Sequence, residues 1–200
     1  VRYSTSRAVR AVFEERYLEN GRLLRTESGR VHFRRPGKMR WDYENPEAKL
    51  FVSDGRTVWL YVPAERTAMR TPVKESSDWR TPFSLLTRSP RLSRLCASIE
   101  QGKASEAVSA GNHVLHCRPR GSKEEARERG EVVIEMNPQT VELCRVRVML
   151  GGGMTIEFGF SQWAEDAGFE EAAYDFVPPP GVAIVEAPTG DSSLEGHAIP

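Results

Sequence analysis

The sequence predicts an α+β fold, mainly antiparallel β, on three observations. Two runs of alternating apolar residues meet at Pro36-Gly37, a second pair flanks Asp54-Gly55, and short alternating runs separated by turn residues return after Gly111. In a strand, residues two apart share a side of the sheet. The 200-residue chain has no compositional break, so residues 1–185 read as a single domain long enough to bury a core. The polar Gly- and Ser-containing stretch 186–200 reads as a disordered tail.

Taken in order, Ala8 to Tyr17 reads as a strand from about Val9, and Asn20-Gly21 ends it. Val31, Phe33, Met39, Trp41 and Tyr43 then form one apolar and aromatic row, while His32, Arg34, Arg40 and Asp42 face away. Arg35 falls in the apolar row, where a charge needs a partner. Leu50–Ser53 and Arg56–Val62 flank Asp54-Gly55, a dipeptide suited to the positive φ angles of a two-residue hairpin turn. With Ser53 facing Arg56, Leu50 faces Trp59 and Val52 faces Thr57. Carried back through the Glu44–Glu47 turn, the same register pairs Trp41 with Leu50 and Met39 with Val52. Met39, Trp41, Leu50, Val52, Trp59 and Tyr61 would then share one broad surface, either a sheet core under a helix or the wall of a cavity.

From Glu65 to Glu100 the pattern changes. Thr81-Pro82 and Ser89-Pro90 each place a hydroxyl cap before a proline at the first helical position. Two short helices follow, one presenting Phe83, Leu85 and Leu86, the other Leu92, Leu95 and Cys96. After Gly111, strands are expected at His113–Cys117, Glu131–Met136, Val141–Leu150 and Met154–Phe160, with a last one near Tyr174–Val177. Short connections make them antiparallel. Arg120–Gly130 reads as a solvated mixed-charge loop and Gly151-Gly152-Gly153 as a turn or bulge.

Several function classes drop out. With 28 basic and 28 acidic residues the chain carries no global charge to bind nucleic acid. No apolar run reaches membrane-spanning length. The sequence opens on Val1 without a charged-then-apolar leader, so any targeting peptide has been removed or lies outside it. No nucleophile elbow, Walker loop or zinc helix occurs, and His113 and His116 point to opposite sides of one strand, so neither catalytic residue, cofactor nor metal is expected. Glu14-Glu15, Glu124-Glu125 and Glu170-Glu171 are adjacent rather than convergent and read as solvated faces. The three cysteines, Cys96, Cys117 and Cys144, have no metal-like spacing. Register through Glu131–Met136 sets Cys117 opposite about Val132 and Cys144 opposite about Val133, on opposite faces and roughly 10 Å apart, outside disulfide reach. All three are expected to be small apolar fillers. The pattern is that of a protein that holds something.

Four segments in order resemble the LolA family of periplasmic carriers of outer-membrane lipoproteins. They are Arg35-Pro36-Gly37-Lys38-Met39-Arg40-Trp41-Asp42-Tyr43, Val52-Ser53-Asp54-Gly55-Arg56-Thr57-Val58-Trp59-Leu60-Tyr61, Thr81-Pro82-Phe83-Ser84-Leu85-Leu86 and Phe176-Val177-Pro178-Pro179-Pro180-Gly181-Val182. The resemblance implies a curved, unclosed β-barrel whose short helices form a lid over an apolar cavity. It also implies a soluble periplasmic monomer that accepts lipoprotein acyl chains from an inner-membrane ABC release complex and passes them to an outer-membrane lipoprotein receptor. By position, Thr81 to Arg88 is similar to the lid helix and Arg35 to the arginine that latches it. Met39, Trp41, Leu50, Val52, Trp59, Tyr61, Phe83, Leu85 and Leu86 become the candidate cavity lining. Two departures stand out: little of the family's leading helix precedes Val9, and the cysteines are not part of its pattern. A sensor domain of the same fold, binding lipid or peptide, is the alternative; a hydrolase would need a nucleophile and base that do not converge here.

Overall fold

The computed structural model describes residues 8–73, 92, 96–120, 130–166 and 168–186. Within these, twelve strands form one sheet. They are β1 (Ala8–Glu19), β2 (Arg22–Arg34), β3 (Lys38–Asn45), β4 (Lys49–Ser53), β5 (Thr57–Val62), β6 (Thr67–Pro72), β7 (Cys96–Gln101), β8 (His113–Pro119), β9 (Val132–Met136), β10 (Leu143–Met149), β11 (Met154–Glu165) and β12 (Ala183–Glu186). The order across the sheet is β12-β6-β5-β4-β3-β2-β1-β11-β10-β9-β8-β7. Two local meanders, β1 to β6 and β7 to β11, are thus joined by one long-range antiparallel seam between β1 and β11. The end strands β7 and β12 do not meet, so the curved sheet stays unclosed.

The core lies on one face and draws on both meanders: Phe13, Val31, Trp41, Val146, Val148 and Phe158 belong to one buried cluster. Close packing of β2 on β3 requires Gly29, where a Cβ would sit 1.9 Å from the Asp42 carbonyl oxygen.

Several expectations are corrected. The Asp54-Gly55 turn is wider than two residues, because the Asp54 carboxylate accepts hydrogen bonds from the backbone N–H of Arg56 (2.6 Å) and Thr57 (2.7 Å). Ser53 therefore faces Val58, Val52 faces Trp59 and Leu50 faces Tyr61, an even slip that keeps sidedness. Between β3 and β4 the slip is odd: Trp41 faces Phe51 and Met39 faces Ser53. An odd slip exchanges faces, so Leu50 and Val52 lie opposite to Met39 and Trp41.

β6 and β7 fall where the sequence suggested a change to helix. Leu92 is helical and packs on the core, whereas Cys96 opens β7 instead of riding a helix. The proposed lid helix, with Phe83, Leu85 and Leu86, lies outside the described residues. Tyr174–Val177 is no strand: Glu171–Tyr174 is a 3-10 turn, and the last strand comes after the prolines, parallel to β6.

The cysteine reading is overturned as well. Cys117 does face Val132, but Cys96, placed beside it by β7, forms a disulfide with it at a Cα–Cα distance of 5.4 Å. Cys144 sits at a register irregularity instead of opposite Val133, which pairs with Arg147, and it is the free thiol. Cys96 reaches Cys117 from the edge strand β7, on the side of β8 away from β9.

Candidate functional site

One ladder of directly opposed residues crosses six strands on the core face: Ala11–Val31–Trp41–Phe51–Leu60–Met69. Its first half is closed, with Ala11 at 3 % exposure and Val31 and Trp41 at 0 %. Its second half is only partly covered, for Phe51, Leu60 and Met69 are all half-buried. Alternating strand residues thus produce an apolar wall that runs from a packed aromatic centre into a half-covered flank.

Trp41 is that centre. Its ring meets those of Phe13 (4.8 Å), Phe158 (5.7 Å), Phe33 (5.9 Å) and Phe160 (5.9 Å), all edge-on. Such contacts add to area burial. Trp163 joins from beyond Phe160, because Gln162 takes a positive φ of 53° and breaks the alternation. Its indole N–H donates to the Leu143 carbonyl at 2.8 Å.

At one end the same face turns polar. Glu15 and Glu27 are direct cross-strand partners, each 4 % exposed. The Lys49 ammonium donates to both Glu27 oxygens (2.6 and 2.7 Å) and lies over the Tyr43 ring. The Tyr43 hydroxyl donates to Glu15 at 2.8 Å. Burial pushes the Glu15 carboxyl above its ordinary range despite hydrogen bonds from Tyr17 and Tyr43. Burial, then the Glu15 charge, raises the Tyr43 hydroxyl well above its own. The solvated reading of Glu15 is therefore wrong, since β1 turns it toward the core while Glu14 faces away.

The opposite face of the sheet holds the other predicted residues. Phe176 packs on Trp59 (5.5 Å) and Tyr61 (5.3 Å), and Val52 is fully buried. A carboxyl-terminal strap, residues 168–177, crosses there. Arg34 donates to the Phe169 carbonyl (3.0 Å), Arg40 to the Ala173 carbonyl (2.9 Å) and Lys38 to Glu171 (2.9 Å). His32 stacks on Phe169 and hydrogen-bonds Asp166 at 2.6 Å. Tyr174 is 1 % exposed beneath the strap. Leu50, Val52, Trp59 and Tyr61 thus stand on the strap side, and only Met39 and Trp41 of the predicted sheet residues share the core face. Arg35 lies in the exposed turn after β2. Phe51, Leu60 and Met69 were missed, although Phe51 next to Leu50 was the available signal that the register could be one residue away.

A third buried carboxylate fastens the β7–β8 loop. Glu135, 1 % exposed, accepts from the N–H groups of Val108 and Ser109 and from Asn112, and pairs with Arg145 at 2.9 Å. Burial opposes its ionisation, but these bonds prevail and hold its pKa below the usual value. His116 bridges Glu106 (2.6 Å) and Glu131 (3.0 Å), which raise its pKa. Among the described residues no group of His, Cys, Asp and Glu could hold a metal ion, and no helix is long and apolar enough to cross a membrane.

An unclosed, mainly antiparallel sheet with an apolar inner wall is the fold that carries this site. Residues 4–177 match the family of the outer membrane lipoprotein carrier protein LolA, and the chain belongs to that family. The outer-membrane lipoprotein carrier protein of Chromobacterium violaceum is 27 % identical over 182 residues, spanning 91 % of this chain and 82 % of the relative. The protein of the same name from Nitrosospira multiformis is 28 % identical over 204 residues, covering 90 % and 83 %. Among solved structures, an uncharacterised conserved protein from Thermus thermophilus superposes with a TM-score of 0.60 at 12 % identity, covering 94 % of both chains. The Mycobacterium tuberculosis lipoprotein LppX gives 0.50 at 13 % identity, covering 84 % of this chain and 92 % of its own. The two structures show the fold alone.

Proposed function

We propose that this chain is a periplasmic carrier that takes up lipoprotein acyl chains from an inner-membrane ABC release complex and delivers them to an outer-membrane receptor. The observation that supports this reading is the cross-strand ladder whose outer half, Phe51, Leu60 and Met69, is apolar yet only half-covered. Each methylene moved from water onto such a wall contributes ~0.8 kcal/mol. The polar end at Glu15, Glu27 and Lys49 gives the wall a direction, since an acyl chain gains nothing by passing it. Met39 and Trp41 stand on the same face, in the closed half that adjoins this wall. Phe83, Leu85 and Leu86 belong to the lid in this reading, and Arg35 is its latch, so that loading must open a closed empty state and affinity stays low enough for release.

The test is to purify the exported protein under mild conditions and identify bound material by mass spectrometry, beside titration with a fluorescent fatty-acyl probe. Lipoprotein or acylated peptide is expected. A protein that carries no acyl material and ignores the probe would refute the carrier role.

A further inference from the structure

The β1–β2 hairpin projects beyond the strands beside β2. Pairing of β2 with β3 begins at Ser28 and Asn45, so among the described residues Arg22 to Glu27 have no strand partner on that side, an overhang of roughly 20 Å at the usual rise per residue. The other side is braced, since β1 pairs with β11 as far as Glu19 and Met154, and the Asn20 N–H donates to the Gly153 carbonyl at 2.9 Å. This is a supported spike.

Its tip has an unusual surface. The register of β1 with β2 shifts between Tyr17 and Leu18, leaving Leu24 as the extra residue of a bulge beside Leu23. The two leucines are 53 % and 52 % exposed. Arg22 and Arg25 flank them and are exposed too, with Glu19 the acid opposite Arg22. Arg25 is steadied over the Tyr17 ring at 4.2 Å. It shares Glu27 with Lys49, its Nε 3.6 Å from the carboxylate while half of its side chain stays exposed, so Arg22 is the more outward of the two charges. Glu44, near the end of β3, is taken up by Arg30 at 2.7 Å, and Glu47 lies in the β3–β4 turn.

We infer that this hairpin tip is a docking element for an anionic lipid surface, the leucine pair entering the interface while the arginines meet lipid phosphate. The charge complements such a surface. The unpaired β2 edge carries arginines that discourage addition of a foreign strand, and a protruding tip suits a plane better than a pocket. The inference does not require the carrier reading, though a carrier serving two membranes would use it.

The test is co-sedimentation of the full chain with vesicles of phosphatidylcholine alone or containing phosphatidylglycerol. Binding is expected only to the anionic vesicles and should weaken as salt rises. Leu23→Ser with Leu24→Ser should cut it about tenfold, as should Arg22→Glu, with unchanged melting because all three side chains are exposed. No binding to anionic vesicles, or binding indifferent to these changes, overturns the inference. Acyl-probe titration of the same variants should match the parent; a parent that binds vesicles but not probe would fail the carrier reading and leave this one standing.

Discussion

Trp41 and Leu60 share a ladder but have opposite duties. Trp41 is fully buried among four phenylalanine rings, so Trp41→Ala should cost ~3–5 kcal/mol of folding stability, read by denaturant unfolding. Leu60 is half-covered, so Leu60→Glu should melt close to the parent while acyl-probe affinity falls about tenfold or more. A Leu60 variant that binds the probe normally would move the site off this flank. Glu15 offers a sign test. Its pKa is raised by burial, so the fold is disfavoured by its ionised form above the folded pKa and not below the unfolded value of 4.5. Glu15→Gln should therefore stabilise the protein at about pH 8, with the gain fading toward about pH 4. Alternation made Met39 and Trp41 legible from sequence. The fate of Glu15 was not, because Glu14-Glu15 looks alike from either face until the bulged pairing of β1 is known.

At the scale of elements, what sequence could say stopped at register. The paired runs around Pro36-Gly37 and Asp54-Gly55 became β2 to β5, yet an aspartate side chain widened one turn and an odd slip between β3 and β4 sent Leu50, Val52, Trp59 and Tyr61 to the strap side. β6 carries weak signals, since Thr67-Ala68-Met69-Arg70 lacks the aromatic content of its neighbours, and β7 was hidden by apolar spacing that also suits a helix. The disulfide followed from that missed strand. With a sequence separation of 21 between its cysteines, Cys96→Ser with Cys117→Ser should cost ~2–4 kcal/mol, measured against the oxidised parent. The β7–β8 loop has its own pH dependence. The His116 pKa is raised by Glu131 and Glu106, so its contribution is complete below the unfolded value of 6.5 and is lost as pH rises through the folded pKa. Melting temperature should fall across that window, and His116→Gln should remove the slope; an unchanged slope would place the pH response elsewhere.

On the scale of the whole molecule, the family segments point to an open curved sheet that local patterns alone leave as a set of hairpins. The reason is the seam: β1 and β11 stand far apart in sequence but side by side in the sheet, and no turn chemistry announces such a pairing. That seam also orders events in time. A chain emerging amino end first can close β1 to β6 by local contacts, but Phe158 and Phe160, which complete the walls around Trp41, arrive only with β11. Until then the aromatic centre stays open on one flank, and the half-made protein presents to its surroundings the kind of greasy surface it keeps covered when finished. A chain stopped before Met154 should thus be quickly degraded by added protease, and the newborn protein depends on helpers, or on speed, during the interval before its last long strand docks.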